Sequence, residues 1–485
     1  MFLTAHSLNN RRLLRIEALN KVNVDIAPRP DTFFQKRDIS ANKHYKPRVQ
    51  SIEHDDILRF TLNAYNQTHH IHLVPNHDLF HPNAVVNTEG VDKPLNHKEY
   101  RVYRGYVVDS TLSEKRWQED QVGLWRDHET LNNHGDGGIL GWARFIIRHD
   151  IKHDLEYPIF EGAFMTNDDT YHVKSSETYQ RVKRSDDAEL HHAYRSPSSN
   201  VHMVIYRDSD TVVVPVMKRD GTIAYGDSCA VDKLLYNNNQ KSYSFDPALS
   251  LISSSPIKEK EKELDTHLSK LNYDAFNGIH NMAMMGSLSK RAPTGCPTTK
   301  KINYMGAAAD CTYTKYYQSD TQARMQIIND WNTASAVYEK QMNIGLGLIN
   351  ITVMSSTCPT TPDPNNVWNQ GCSNAYDITT RLSDFSRWRA KTPNDGAGLW
   401  HLMTNCPTGA ELGVAWVGAL CTTDVQQQRD GGQTQYVSGT GVSSVVRDEW
   451  KVVAHEIGHG FGAKHDCTAD TCRCNGSTCD CCPLS

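Results

Sequence analysis

Leu58, Phe60, Leu62 and Ala64 are separated by single polar residues, and after the turn-prone stretch Asn66 to His70 the alternation resumes at Ile71 and Leu73. A period of two turns one face of an extended chain toward a core, so this segment reads as strand, loop and strand. Val201 to Ile205, Val212 to Val216 and Thr222 to Tyr225 add short runs of the same kind, so the amino-terminal segment is expected to be mainly β.

The period changes farther along the chain. Ser319 and Gln322 form a capping-box signature, and Ile328, Trp331, Ala334 and Tyr338 follow at helical spacing, which predicts an amphipathic helix from about Thr321 to Gln341. Ile344, Leu346 and Leu348 then alternate as a strand, so the carboxy-terminal part reads as α/β. Between the two patterns, Tyr236 to Lys262 is rich in Asn, Ser and Lys, with a charged run at Lys258 to Glu263 typical of an exposed linker. The expected division is residues 1–235 as one mainly β domain, 236–291 as linker and 292–485 as an α/β domain. The apolar stripes themselves are core.

The chemistry is concentrated in His455-Glu456-Ile457-Gly458-His459-Gly460-Phe461-Gly462-Ala463-Lys464-His465-Asp466, which reads HExxHxxGxxHD. If Val446 to His459 is helical, His455 and His459 lie one turn apart on one face and converge on one cation. Gly462 lets the backbone leave the helix through a left-handed conformation and bring in His465 as a third nitrogen ligand. Three imidazoles leave the fourth tetrahedral position of a zinc ion open, and Glu456, beside a ligand, is placed as the general base.

This string resembles the long zinc signature of the metzincins, and Asp466 after the third His resembles their reprolysin (adamalysin, ADAM) branch, including its secreted fungal-type members. The resemblance implies a metzincin-like α/β zincin domain with a twisted mixed sheet, one catalytic Zn2+ on His455, His459 and His465, Glu456 as catalytic base, and Asp466 as a buried brace. It implies a zinc metalloendopeptidase made as a zymogen and acting on polypeptide substrates. The run from Asp55-Asp56 through Arg59 to Pro75-Asn76 independently resembles an ADAM propeptide, and Gly413 to Gly418 resembles the cleft-edge strand that pairs with substrate backbone. An interior strand is the competing reading for Gly413 to Gly418.

Composition narrows the setting. A formal net charge of -5 with both signs dispersed excludes the basic patch that nucleic acid requires, and no apolar run reaches the roughly 20 residues of a membrane span. Of the 13 cysteines all but Cys229 lie from Cys296 onward. That density argues for disulfides and a secretory, extracellular setting, with which sequons at Asn66, Asn350 and Asn475 agree. A structural zinc cluster is the alternative for Cys467 to Cys482, and connectivity stays open.

Cys229 stands apart. As a cysteine switch its thiolate would take the fourth zinc position until the propeptide leaves, although its flank, Asp227-Ser228-Cys229-Ala230-Val231-Asp232, departs from the Pro-Lys-x-Cys-Gly context usual in reprolysins. The competing reading is a buried thiol with no role. Basic sites at Arg181-Val182-Lys183-Arg184 and Lys290-Arg291 resemble targets of furin or kexin-type processing proteases, and only the cut at Lys290-Arg291 separates Cys229 from the α/β domain. Two features depart from the family: no methionine turn follows the third His, and no signal peptide is visible at the amino terminus. Both ends are therefore expected to be incomplete. A catalytically impaired binding or matrix-associated module of the same fold is the reading from another class, and retention of Glu456 with all three histidines disfavours it; a structural cysteine-rich protein is a third, which would show disulfides but no zinc in elemental analysis.

Overall fold

In a computed structural model of the protein, the residues described are 11–29, 52–88, 90–121, 138–148, 157–167, 169–190, 201–214, 216–217, 223–224, 229–231, 234, 236–237, 299–392, 394–407, 411–430, 433–465, 474–475 and 478–479. Residues 238–291 of the expected linker, among them the pair Lys290-Arg291, lie outside them, as do Cys296, Asp466 and the side chains of the terminal cysteine run, whereas Tyr236 and Asn237, expected at the start of the linker, are described and pack against Trp416 and Val417.

The amino-terminal segment builds an antiparallel sheet of nine strands. Strand Leu58–Ala64 buries its apolar positions as the alternation requires, and it pairs with Gln67–Pro75 through Ala64 opposite Gln67. The turn is tighter than the stretch Asn66 to His70 expected from sequence. Tyr65 and Asn66 alone form it, at φ 53° and 59°, the left-handed pair that a two-residue hairpin of this twist demands. The end strands of the sheet, Glu17–Leu19 and Val22–Ile26, are consecutive in the chain. The Tyr65 N–H donates to Glu17 Oε2 at 2.7 Å, so the sheet curls around one core of Phe60, Ile71, Phe145, Phe160 and their neighbours.

The second sheet carries the site. In chain order its strands are β1 (Phe80–Thr88), β2 (Val91–Pro94), β3 (Lys301–Ala309), β4 (Ile344–Val353), β5 (Trp400–Thr404), β6 (Gly413–Ala415) and β7 (Thr440–Ser444). They lie side by side as β6-β7-β5-β3-β4-β1-β2. The five from β7 to β1 run parallel, and the outermost strands are antiparallel to their neighbours. The mixed α/β architecture and the mainly β amino-terminal region are as expected. That β1 and β2, from the amino-terminal segment, extend the α/β sheet is not visible in the sequence, because strand pairing across more than 250 residues leaves no local pattern.

Helix α1 (Asp320–Met342) matches the predicted span to within a residue. The Ser319 hydroxyl accepts from the Gln322 N–H at its start, and Asn343, at φ 56°, ends it in the left-handed conformation. Its stripe of Ile327, Ile328, Trp331, Ala334 and Tyr338 is buried against strands β3 and β4, and each large side chain contributes about 1.5–3 kcal/mol through burial. Helix α2 (Ile378–Arg389) covers the same sheet near β6 and β7. Helix α3 (Glu449–Gly460) packs on α1 through Val453, Ala454 and Ile457, and the Tyr338 hydroxyl donates to the Ala454 carbonyl at 2.6 Å.

Asn332, midway along α1, ties the two sheets together. Its Nδ2 donates to the carbonyls of Tyr103 and Phe145 at 3.1 and 3.3 Å, and its Oδ1 accepts from Asn76 at 2.8 Å. Asn332→Ala is expected to destabilise the unprocessed chain by about 2–3 kcal/mol, since buried polar partners lose their bonds. Denaturant unfolding monitored by tryptophan fluorescence checks this, and a loss under 0.5 kcal/mol would remove Asn332 as a tie.

Candidate metal centre and its blocked cleft

Helix α3 starts three residues later than the sequence reading placed it, at Glu449, and its root is held by buried polar groups. Tyr313 and Tyr317 donate to the two Glu449 oxygens at 2.6 and 2.7 Å. Burial pushes the Glu449 carboxyl up, and Asp330 beside it as well. On the amino-terminal side, Tyr206 donates to Asp448 at 2.7 Å, and Arg447 Nη1 donates to both Asp187 carboxylate oxygens, each at 2.9 Å.

From that root the helix carries His455 and His459 one turn apart, with Nε2 atoms 3.0 Å from each other. The chain then reverses at Gly462, which sits at φ +98° and donates its N–H to the His459 carbonyl at 2.8 Å, while the Ala463 N–H reaches the Gly458 carbonyl at 3.0 Å. A side chain at this φ would be strained, so the glycine is what the turn requires. The reversal brings His465 Nε2 to 3.2 Å from His455 Nε2. Nitrogens about 2.0–2.1 Å from a shared tetrahedral ion lie about 3.3 Å apart, so the trio fits a single small cation. The His459 Nδ1–H donates to the Ala463 carbonyl at 2.7 Å, which leaves the Nε2 lone pair facing the cluster.

Cys229 joins them. Its Sγ lies 3.6 Å from His459 Nε2, and the ligand atoms of Cys229, His455, His459 and His465 all fall within 4.8 Å of one another, a group that could hold a metal ion. The Cys229 thiol donates to Glu456 Oε2 at 3.6 Å. Glu456 is buried, which pushes its carboxyl up to about 8, and its Oε1 has no hydrogen-bond partner. The sequence-derived residues Cys229, His455, Glu456, His459 and His465 are thus brought to one place.

Strand β6 borders this cluster at the end of its sheet, with β7 on one side. On its outer side Cys229 forms a parallel bridge with Gly413, and the Ala230 N–H donates to the Gly413 carbonyl at 3.0 Å. Sequence reasoning missed the role of Gly413. A Cβ there would stand 2.2 Å from Glu456 Oε1, so the carboxylate reaches its position only across a bare backbone. The requirement joins residues 43 apart and has no local signature in the sequence.

Two disulfides, Cys311–Cys358 and Cys372–Cys406, tie the α/β region. Among the described residues Cys229, buried, and Cys421, exposed, are outside disulfides.

Gly413→Ala is expected to fold, since extended backbone accepts alanine, but to drive the Glu456 carboxylate out of its niche. In metal-stripped protein, carbon-13 titration is expected to find the Glu456 carboxyl near 8 in the parent and lower in the variant, because exposure relieves the burial that raises it. An unchanged titration would show that the contact is harmless.

The chain is similar to known proteins over both regions. Residues 298–485 match metallo-peptidase family M12, and residues 23–108 match the reprolysin family propeptide. Disintegrin and metalloproteinase domain-containing protein B of Aspergillus fumigatus is 33% identical over 96% of this chain and 57% of its own length. The protein of that name in Trichophyton verrucosum is 31% identical over 90% of this chain and 52% of its own length. Zinc metalloprotease mde10 of Schizosaccharomyces pombe is 25% identical over 45% of this chain and 44% of its own length. The chain spans about half the length of these curated relatives. A reprolysin propeptide followed in one polypeptide by an M12 domain makes this protein a member of the reprolysin family of metallopeptidases.

Proposed function

We propose that the protein is the latent form of a zinc-dependent endopeptidase that cuts extended polypeptides, with His455, His459 and His465 as zinc ligands, Glu456 as general base and Cys229 as the inhibitory fourth ligand. The observation that carries the reading is the convergence of three imidazole nitrogens, a buried carboxylate and a thiol on one point beside a sheet edge. Zinc bound there supplies Lewis acidity toward the scissile carbonyl. Glu456 takes a proton from the attacking water and returns it to the leaving nitrogen, and its Oε2, which accepts from the Cys229 thiol, faces the position that water would take in the thiol's place. The edge strand gives an extended substrate main-chain partners.

Latency follows from Cys229. As a thiolate ligand Cys229 would close the ion's fourth position to water, and the segment around it covers the edge. Two basic sites were candidates for processing. Arg181 and Val182 sit in the helix Ser176–Val182, Lys183 pairs with Glu189 and Arg184 with Asp186, so the first site is folded into helix and ion pairs rather than extended for a protease. This favours Lys290-Arg291 as the site for a furin or kexin-type protease. Clustered cysteines and the two disulfides fit synthesis in the secretory pathway and action on extracellular or cell-surface proteins. Among the described residues no helix is long and apolar enough to cross a membrane.

Glu456→Ala is expected to keep about one zinc per molecule while cleavage of a fluorogenic peptide by the processed protein falls by 10³-fold or more. Replacing any one of His455, His459 or His465 by Ala is expected to lower zinc affinity by about 100-fold or more in competition with a chelator. Undiminished cleavage in the first case, or undiminished zinc in the second, would overturn the assignment. In the cobalt-loaded unprocessed chain, Cys229→Ser is expected to remove the thiolate-to-metal charge-transfer absorption, and a spectrum unchanged from the parent would refute the thiol's role as a ligand.

A further inference from the structure

We infer that Asn237 is a second latch: its carboxamide sits on the main-chain hydrogen-bonding atoms of the cleft edge that an extended substrate needs, and so blocks substrate independently of the Cys229 thiol. The inference rests on the peptidase reading above and extends it to regulation of the same site.

An exposed strand edge offers carbonyls and N–H groups on alternate residues. Past β6 the backbone keeps that alternation. The Trp416 N–H points inward to the Thr440 carbonyl, 3.5 Å away, while the Ala415 carbonyl and the Val417 N–H face outward. Asn237 answers both. Its Nδ2 donates to the Ala415 carbonyl at 3.0 Å, and its Oδ1 accepts from the Val417 N–H at 2.9 Å.

A carboxamide carries the same donor and acceptor as a peptide group, so one side chain reproduces the pairing that an added strand would make. The amide's orientation is fixed, because turning it over would set donor against donor and acceptor against acceptor. Its second Nδ2 hydrogen goes to the Val231 carbonyl at 3.0 Å, which anchors the mimic to its own segment. Asn237 is buried, so these bonds form away from competing water.

The segment between the two latches is shaped to hold them. Ala230 and Leu234 are buried in a cluster with Trp416, Val414 and Phe385, and Tyr236 meets Trp416 edge to face at 5.8 Å. Cys229 faces the histidines from one end of this hook, and Asn237 grips the edge from the other. The thiol covers the reacting centre. The amide covers the rail on which a substrate backbone would lie. Losing one therefore leaves the other in place.

The test uses the full unprocessed chain. Hydrogen exchange at the Val417 amide, resolved by fragmentation mass spectrometry, is expected to speed up about tenfold or more in Asn237→Ala. Asn237→Asp, which keeps the acceptor and loses the donors, is expected to lie between parent and alanine. Unchanged exchange at Val417 in Asn237→Ala overturns the proposal. In a second arm, unprocessed Cys229→Ser is expected to cleave a long fluorogenic peptide at least about tenfold more slowly than the processed protein, and adding Asn237→Ala to bring it within about twofold. Cys229→Ser alone matching the processed protein also overturns the latch. A processed protein that is itself inert overturns the peptidase reading instead, and the exchange measurement then decides the latch by itself.

Discussion

Everything at the candidate site depends on the closeness of three imidazole nitrogens, and that closeness is set by one helix end. Two of them need only the pitch of α3, but the third needs the chain to reverse within three residues of His459. The left-handed Gly462 and the hydrogen bonds back to the helix carbonyls achieve this. One of those constraints is also electronic. The Ala463 carbonyl, brought round by the reversal, accepts a hydrogen bond from the His459 Nδ1–H and so turns the Nε2 lone pair toward the cluster. Backbone geometry and the orientation of the ring are therefore set by the same turn.

The helix can hold that geometry because its other end is fixed. Glu449 is enclosed by two tyrosine hydroxyls from the α/β region, and Arg447 and Asp448 are gripped by Asp187 and Tyr206 from the amino-terminal segment. The amino-terminal segment thus touches the site from both directions, through the root of α3 and through the hook at Cys229. It also lends β1 and β2 to the α/β sheet. The amino-terminal segment is thus built into one structure with the α/β region, and burial of these polar groups makes each tie dependent on the others.

The outermost strand β6 brings Glu456 and the Cys229 segment together. Gly413 is bare so that Glu456 can lie against it, and its backbone pairs with the Cys229 segment on the outer side.

Local rules were enough for much of this. The alternation at Leu58 to Ala64, the capping box at Ser319 and the three-to-four spacing along α1 named strands and a helix, because these patterns report only which face of an element is buried. HExxHxxGxxHD named the metal-site residues because helix pitch and one glycine fix their meeting within eleven residues, and Cys229 drew attention by standing apart from the other cysteines. What the sequence left open all lies across long separations: the strand register of β1 on β4, the contact of Gly413 with Glu456, the tie at Asn332 and the grip of Asn237 on the edge. Each joins groups that no local period relates, so only packing of the whole chain could decide them.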